Sequence, residues 1–82
     1  MTFVHDYHPA ARWGLLNRLP RSAAERLDAA VIRLAETGRG PIARMDPDNP
    51  NRFLLRVSGA EAELFVDRRA CTILVTSVRR RE

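Results

Sequence analysis

At 82 residues the chain makes one domain, because two cores would leave each half too small for apolar burial to offset chain entropy. A hydrophobic fraction of 45% beside a charged fraction of 29% belongs to an ordinary globular protein and excludes disordered and fibrous classes. The net charge is +4, all 14 basic residues are Arg, and the excess is uneven: nine Arg meet nine acidic residues from Met1 to Asp67, whereas from Arg68 onward five Arg meet Glu82 alone. Such an asymmetry points to contact with nucleic acid or with an acidic protein.

No run approaches the roughly 18 apolar residues that span a bilayer, and Met1-Thr2-Phe3-Val4-His5-Asp6 lacks the blocks of a signal peptide, so a cytoplasmic location is expected. Cys71 is the one cysteine, which excludes an internal disulfide and a thiolate pair for zinc; it reads as a small buried hydrophobe.

Thr2 to Tyr7, rich in β-branched and aromatic residues and followed by Pro9, predicts a short first strand. From Pro9 the residues Ala10, Ala11, Trp13, Leu15, Leu16 and Leu19 cluster at helical spacing until Leu19-Pro20, which predicts a first helix with Trp13 and Leu16 toward the core. Ser22 followed by Glu25 forms a capping-box pattern for a second helix, whose apolar face runs through Ala24, Leu27, Ala30, Val31 and Leu34 to a Gly38 C-cap.

The stretch from Gly38 to Asn51, with Gly40, Pro41, Pro47 and Pro50 among Asp and Asn, reads as a loop in which Ile42 to Met45 form a short extended piece pinned on the core. Two strands of period-two pattern follow. Phe53, Leu55 and Val57 share a core face with Ala62, Leu64 and Val66, while Arg52, Leu54, Arg56, Glu61, Glu63 and Phe65 face outward. The turn at Ser58-Gly59-Ala60 leaves two registers open, with Arg56 opposite Glu63 in one and Glu61 in the other. After a turn at Asp67-Arg68-Arg69-Ala70, the nearly continuous apolar and β-branched run Cys71 to Val78 predicts an inner strand covered on much of both faces. Arg79-Arg80-Arg81-Glu82 forms a basic end to this single domain.

The order and spacing of several segments resemble the RelE/ParE superfamily of bacterial toxins from Thr2 to Arg81. They are Ala11 to Pro20, Leu27 to Glu36, Leu55-Arg56-Val57-Ser58-Gly59, Leu64-Phe65-Val66-Asp67 and Ile73 to Arg80. The resemblance implies an α+β fold: a short N-terminal strand, a two-helix hairpin and a three-stranded antiparallel meander, with the helices on one face of a twisted sheet. It also implies a toxin of a type II toxin-antitoxin system, a cognate antitoxin as partner, no small-molecule cofactor, and RNA binding with metal-independent messenger RNA cleavage at the ribosome in the nuclease members. Inhibition of DNA gyrase in the ParE manner, and a non-catalytic RNA- or antitoxin-binding module, are the alternatives.

Carried over position by position, Arg52 and Arg56 resemble the basic residues on the strand before the hairpin, and Arg79 or Arg80 the basic residue ending the last strand. Arg56 and Arg80 are thereby the catalytic candidates, and Arg52, Arg56, Arg79, Arg80 and Arg81 the phosphate-binding ones. The chain departs from the pattern at Ala60-Glu61, where an aromatic-Arg pair is common, and at Val78, where His or Lys often stands. RNA cleavage through the 2′-hydroxyl needs a base, an acid and cations, and Arg supplies the cation alone. The remaining proton carriers are His5, His8, Glu61, Glu63 and Tyr7. His5-Asp6-Tyr7-His8 offers no third metal ligand, so no metal site is expected.

Overall fold

The computed structural model describes residues 2–81; Met1 and Glu82, the last residue of the basic end, lie outside the described residues. The elements run β1 (Val4–Tyr7), α1 (Pro9–Asn17), α2 (Arg21–Thr37), β2 (Ile42–Asp46), β3 (Asn49–Val57), β4 (Ala60–Asp67) and β5 (Thr72–Arg80). The five strands form one mixed sheet in the order β1-β5-β4-β3-β2. Antiparallel pairing links β2 through β5, and β1 returns parallel to β5 with Val4 opposite Thr72 and Tyr7 opposite Val75. Both helices pack on one face, α1 over β5 and α2 across β3, β4 and β1. No helix among the described residues is long and apolar enough to cross a membrane.

The α+β architecture is the expected one, and its meander holds one strand more. Within the stretch read as a loop, the extended piece expected at Ile42 to Met45 is a full strand, Ile42–Asp46, which pairs with β3 through Ile42 opposite Leu55 and Arg44 opposite Phe53. Pro41 and Pro47 flank this strand rather than interrupt it, so its ladder amides are kept. The segment is thus an edge hairpin of the sheet and does not close over either face.

The core lies between the helices and the sheet. Leu27, Val31, Leu34 and Ala35 of α2 meet Leu55, Ala62, Leu64, Ile73 and Val75 from the strands, all buried. Gly38, at φ 72°, ends α2 in the left-handed region and donates its amide to the Leu34 carbonyl at 2.8 Å, as its sequence position predicts. The capping box does not form: Pro20 is the N-cap and makes no side-chain cap bond, while Glu25 turns to Arg21 in an exposed i,i+4 pair. Starting the helix at Arg21 moves Ser22 into the first turn, away from the cap position.

In α1 the fully buried positions are Ala11 and Gly14, Leu15 packs partly buried against the core, and Trp13 and Leu16 point away. Trp13 and Leu16 are 55% and 72% exposed, against the expectation that both are core. Trp13 instead carries the Arg18 guanidinium 5.2 Å from its ring centroid. The reason is the closeness of α1 to β5: a Cβ on Gly14 would lie 2.8 Å from Cγ2 of Val78, so only the slimmest side of the helix fits. Gly14→Ala is therefore expected to lower stability by about 1 kcal/mol in a thermal melt, since an overpacking cost of ~1–3 kcal/mol exceeds the helix-propensity gain of ~1 kcal/mol.

Candidate nucleic-acid interface

The face of the sheet opposite the helices is open, and alternation along each strand decides what it shows. In β3 and β4 the residues Arg52, Leu54, Arg56, Glu61, Glu63 and Phe65 point outward, as their period predicts. The hairpin adopts the register with Val57 opposite Ala60, so Ser58 and Gly59 form the turn and Arg56 sits opposite Glu61. Gly59 takes φ 87° at the second turn position, a conformation that only glycine accepts readily.

Strand β5 needs an irregularity to join this face. Leu64 pairs with Val75 and Glu63 with Ser77, so Thr76 is an extra residue in β5, held by its hydroxyl donating to the Glu63 carbonyl at 3.1 Å. The bulge reverses the alternation. Ile73 and Val75 point into the core before it and Val78 after it, and Arg79 thereby turns outward where strict alternation would turn it inward. The strand has partners on both edges, as expected, but one of its faces is open: Leu74, opposite Phe65, is 36% exposed.

One row of the open face is therefore Arg56, Glu61 and Arg79. Glu61 Oε2 accepts from Arg56 Nε at 3.2 Å, and Oε1 accepts from Arg79 Nε. Burial by itself would raise the Glu61 pKa, but the hydrogen bonds and charges of Arg79 and then Arg56 outweigh it and hold the carboxyl below its usual value. Glu61 is ionised at neutral pH and is a weak proton acceptor. In the adjoining rows Arg52 pairs with Glu63 at 3.3 Å, and Arg52 faces Phe65, which is exposed beside Leu74.

Arg80 pairs with Ala60 and lies on the helix side of the sheet, so the structure separates it from Arg52, Arg56 and Arg79. Arg81 donates its amide to the Gly59 carbonyl at 3.0 Å, which ties the C-terminal segment to the hairpin turn. Arg26 of α2 reaches the same turn, its Nε donating to the Ser58 carbonyl at 3.0 Å. Arg26, Arg56, Arg79, Arg80 and Arg81 consequently converge on one end of the molecule. Arg26 escaped sequence reasoning because it is 32 residues from its partner and nothing in its helical spacing marks it.

Arg68 and Arg69 lie elsewhere. They occupy the β4–β5 turn, whose amides at Arg69 and Ala70 donate to Asp67 Oδ1, at the opposite end of β4 from the hairpin turn. The basic segment counted from Arg68 is thus two patches, roughly 25 Å apart by strand rise. An apolar cleft of about 450 Å³ near Arg68, lined by Phe3, Leu34, Ile42, Phe53, Val66 and Ile73, shares no residue with the Arg56–Arg79 row.

The other proton carriers lie off the open face. His8 caps α1, its Nδ1 accepting from the Ala10 amide at 3.2 Å. Tyr7 is buried on the helix side, where desolvation and its hydrogen bond to Asp28 Oδ1 at 2.8 Å raise its pKa far above the usual value. His5 is opposite Ile73, which faces the core. Among the described residues no group of three or more His, Cys, Asp or Glu is arranged to hold a metal. Cys71 departs from expectation: it is half-buried at φ 54°, in the turn preceding β5, rather than packed in the strand.

No protein-family model matches the chain, and no curated protein matches it in sequence. Solved structures do match. A chain of the RelBE2 toxin-antitoxin complex from Mycobacterium tuberculosis superposes with a TM-score of 0.80 at 16% identity, over 99% of this chain and 100% of that one. An arginine-to-alanine double mutant of the Escherichia coli toxin RelE in the free state gives 0.76 at 22% identity, over 96% and 83%. The intact E. coli RelBE toxin-antitoxin complex gives 0.75 at 22% identity, over 99% of both chains. A shared two-helix layer on an open mixed sheet, matched over nearly the whole length, gives this chain the fold of the RelE-type toxins.

Proposed function

We propose that this protein is the toxin component of a type II toxin-antitoxin system and that it acts by binding RNA through the arginine-rich hairpin end and the adjoining open face. The observation that carries the reading is that Arg26, Arg56, Arg79, Arg80 and Arg81 all lie at the hairpin end of the molecule, Arg56 and Arg79 on the open face and Arg26 and Arg80 on the helix side. Guanidinium groups gathered in this way attract phosphate irrespective of base sequence. Exposed Phe65 beside Arg52 adds a surface on which an unpaired base can stack. The likeness to a RelE toxin and to RelBE complexes supports the toxin role and a cognate antitoxin as partner.

Binding is favoured over cleavage by the chain itself. Arg56 and Arg80, the two catalytic candidates, lie on opposite faces of the sheet, and His5, His8 and Tyr7 are on the helix side or at the start of α1. That leaves Glu61 and Glu63 on the open face, both engaged by arginines. Inducing the protein in bacteria is expected to arrest growth, and the purified chain, alone and with ribosomes, to retain RNA at its original length. Undisturbed growth would overturn the toxin role, shortened transcripts the binding mode. Loss of supercoiling by pure DNA gyrase would assign the gyrase target instead.

A further inference from the structure

Glu61 is the buried charged residue of the described core, 8% exposed, and its two oxygens are shared between two guanidiniums from flanking strands. The arrangement is asymmetric: the carboxylate is almost covered, with its side chain 11% exposed, while Arg56 and Arg79 remain 55% and 62% exposed. Glu63 is different, giving one oxygen to Arg52 alone. A carboxylate bridging two guanidiniums presents the same pair of acceptor oxygens as the non-bridging oxygens of a phosphodiester.

We propose that Glu61 is an internal anion seated between Arg56 and Arg79, and that it sets the RNA affinity of the open face because a phosphodiester takes this seat only by displacing it. The choice of RNA as ligand rests on the function proposed above; the seat itself rests on the three side chains. With Glu61 in place the row carries a net +1, and with the carboxylate neutralised it carries +2. Glu61 thus acts as a specificity determinant, holding non-specific phosphate attraction down at this site.

Glu61→Gln preserves the shape and removes the charge. At ~0.1 M salt this variant is expected to bind a short single-stranded oligoribonucleotide about tenfold tighter than the parent, with a log affinity against log salt slope steeper by about 0.7 to 1.4, the signature of one or two added phosphate contacts. Adding Arg79→Ala to that variant should return affinity and slope toward the parent. The seat is read separately by following the Nε–H resonances of Arg56 and Arg79 during titration with inorganic phosphate: they should move in Glu61→Gln and stay in the parent.

Unmoved arginine resonances together with a parental salt slope would overturn the proposal. If neither protein binds the oligoribonucleotide while phosphate still moves Arg56 and Arg79 in Glu61→Gln, the seat stands and the RNA reading falls. Should the Gln variant fail to fold, Glu61→Asp, one methylene shorter, releases one guanidinium at a time. It is then expected to bind with an affinity between the parent's and tenfold above it, and an unchanged affinity overturns the proposal.

Discussion

Replacing Leu27 with Ala is expected to lower the unfolding free energy by about 3 kcal/mol, within the ~2–5 kcal/mol span for buried Leu truncations. Leu27 has no exposed surface and lies in the middle of α2, over the sheet. Ala and Leu have nearly equal helix propensity, so the loss reports the vacated volume rather than a weaker helix. For a domain of this size each kcal/mol moves the melting temperature by roughly 4–8 °C, so a fall of about 12–24 °C is expected. Because the whole stability of such a domain is only ~5–15 kcal/mol, a few kcal/mol is a large share of it.

Leu16→Ala is the matched control, removing the same atoms from a position 72% exposed. Its expected change is within about 0.5 kcal/mol, as for other surface substitutions. Equal losses at the two positions would mean that α1 packs through Leu16, contrary to the fold described. Denaturant unfolding of both variants with unchanged m-values makes the comparison.

Removing the charge of Arg79, Arg80 and Arg81 together is expected to weaken RNA binding about tenfold at ~0.1 M salt, and to flatten the salt slope by about 1.4, the share of Arg80 and Arg81, because Glu61 holds Arg79 in the parent. Each of the three lies at or beside the hairpin turn, where Arg26 and Arg56 add to the same field. Arg68 and Arg69, at the far end of β4, provide the contrast. Their double replacement by Ala also reduces the net charge, yet its expected effect is under threefold, because charges beyond a Debye length of ~10 Å are screened. If the two sets of variants weaken binding in proportion to charge alone, the attraction belongs to the whole molecule and the hairpin end is no interface. A growth-arrest assay with the same variants ties the result to toxicity.

The faces of β3 and β4 were legible in the sequence, though not their register, because alternation of apolar and polar residues is a local property. Phe53, Leu55, Ala62 and Leu64 declare their face by period, and Arg52, Arg56, Glu61 and Glu63 follow on the other. The body of α2 was legible for the same reason, through Leu27, Val31, Leu34 and the Gly38 stop. Its start was not, since a capping-box pattern describes what Ser22 can do and not where the turn after Leu19 delivers the chain. Trp13 misled because helical spacing identifies an apolar stripe without saying how close the neighbouring strand comes, and the contact of Gly14 with Val78 turned that stripe aside.

Local patterning thus encodes the elements with strong period, the faces of the β3–β4 hairpin, and an excess of arginine in the last segment of the chain. Which arginines share a surface follows from the packing of remote segments. The bulge at Thr76 turns Arg79 outward to Glu61 and leaves Arg80 behind, the β4–β5 turn carries Arg68 and Arg69 to the far end, and α2 brings Arg26 to a turn distant in sequence. Each of these depends on strand register and helix docking, which are set by pairings between remote segments and by the volume available in the core, and no local pattern of residues encodes either one.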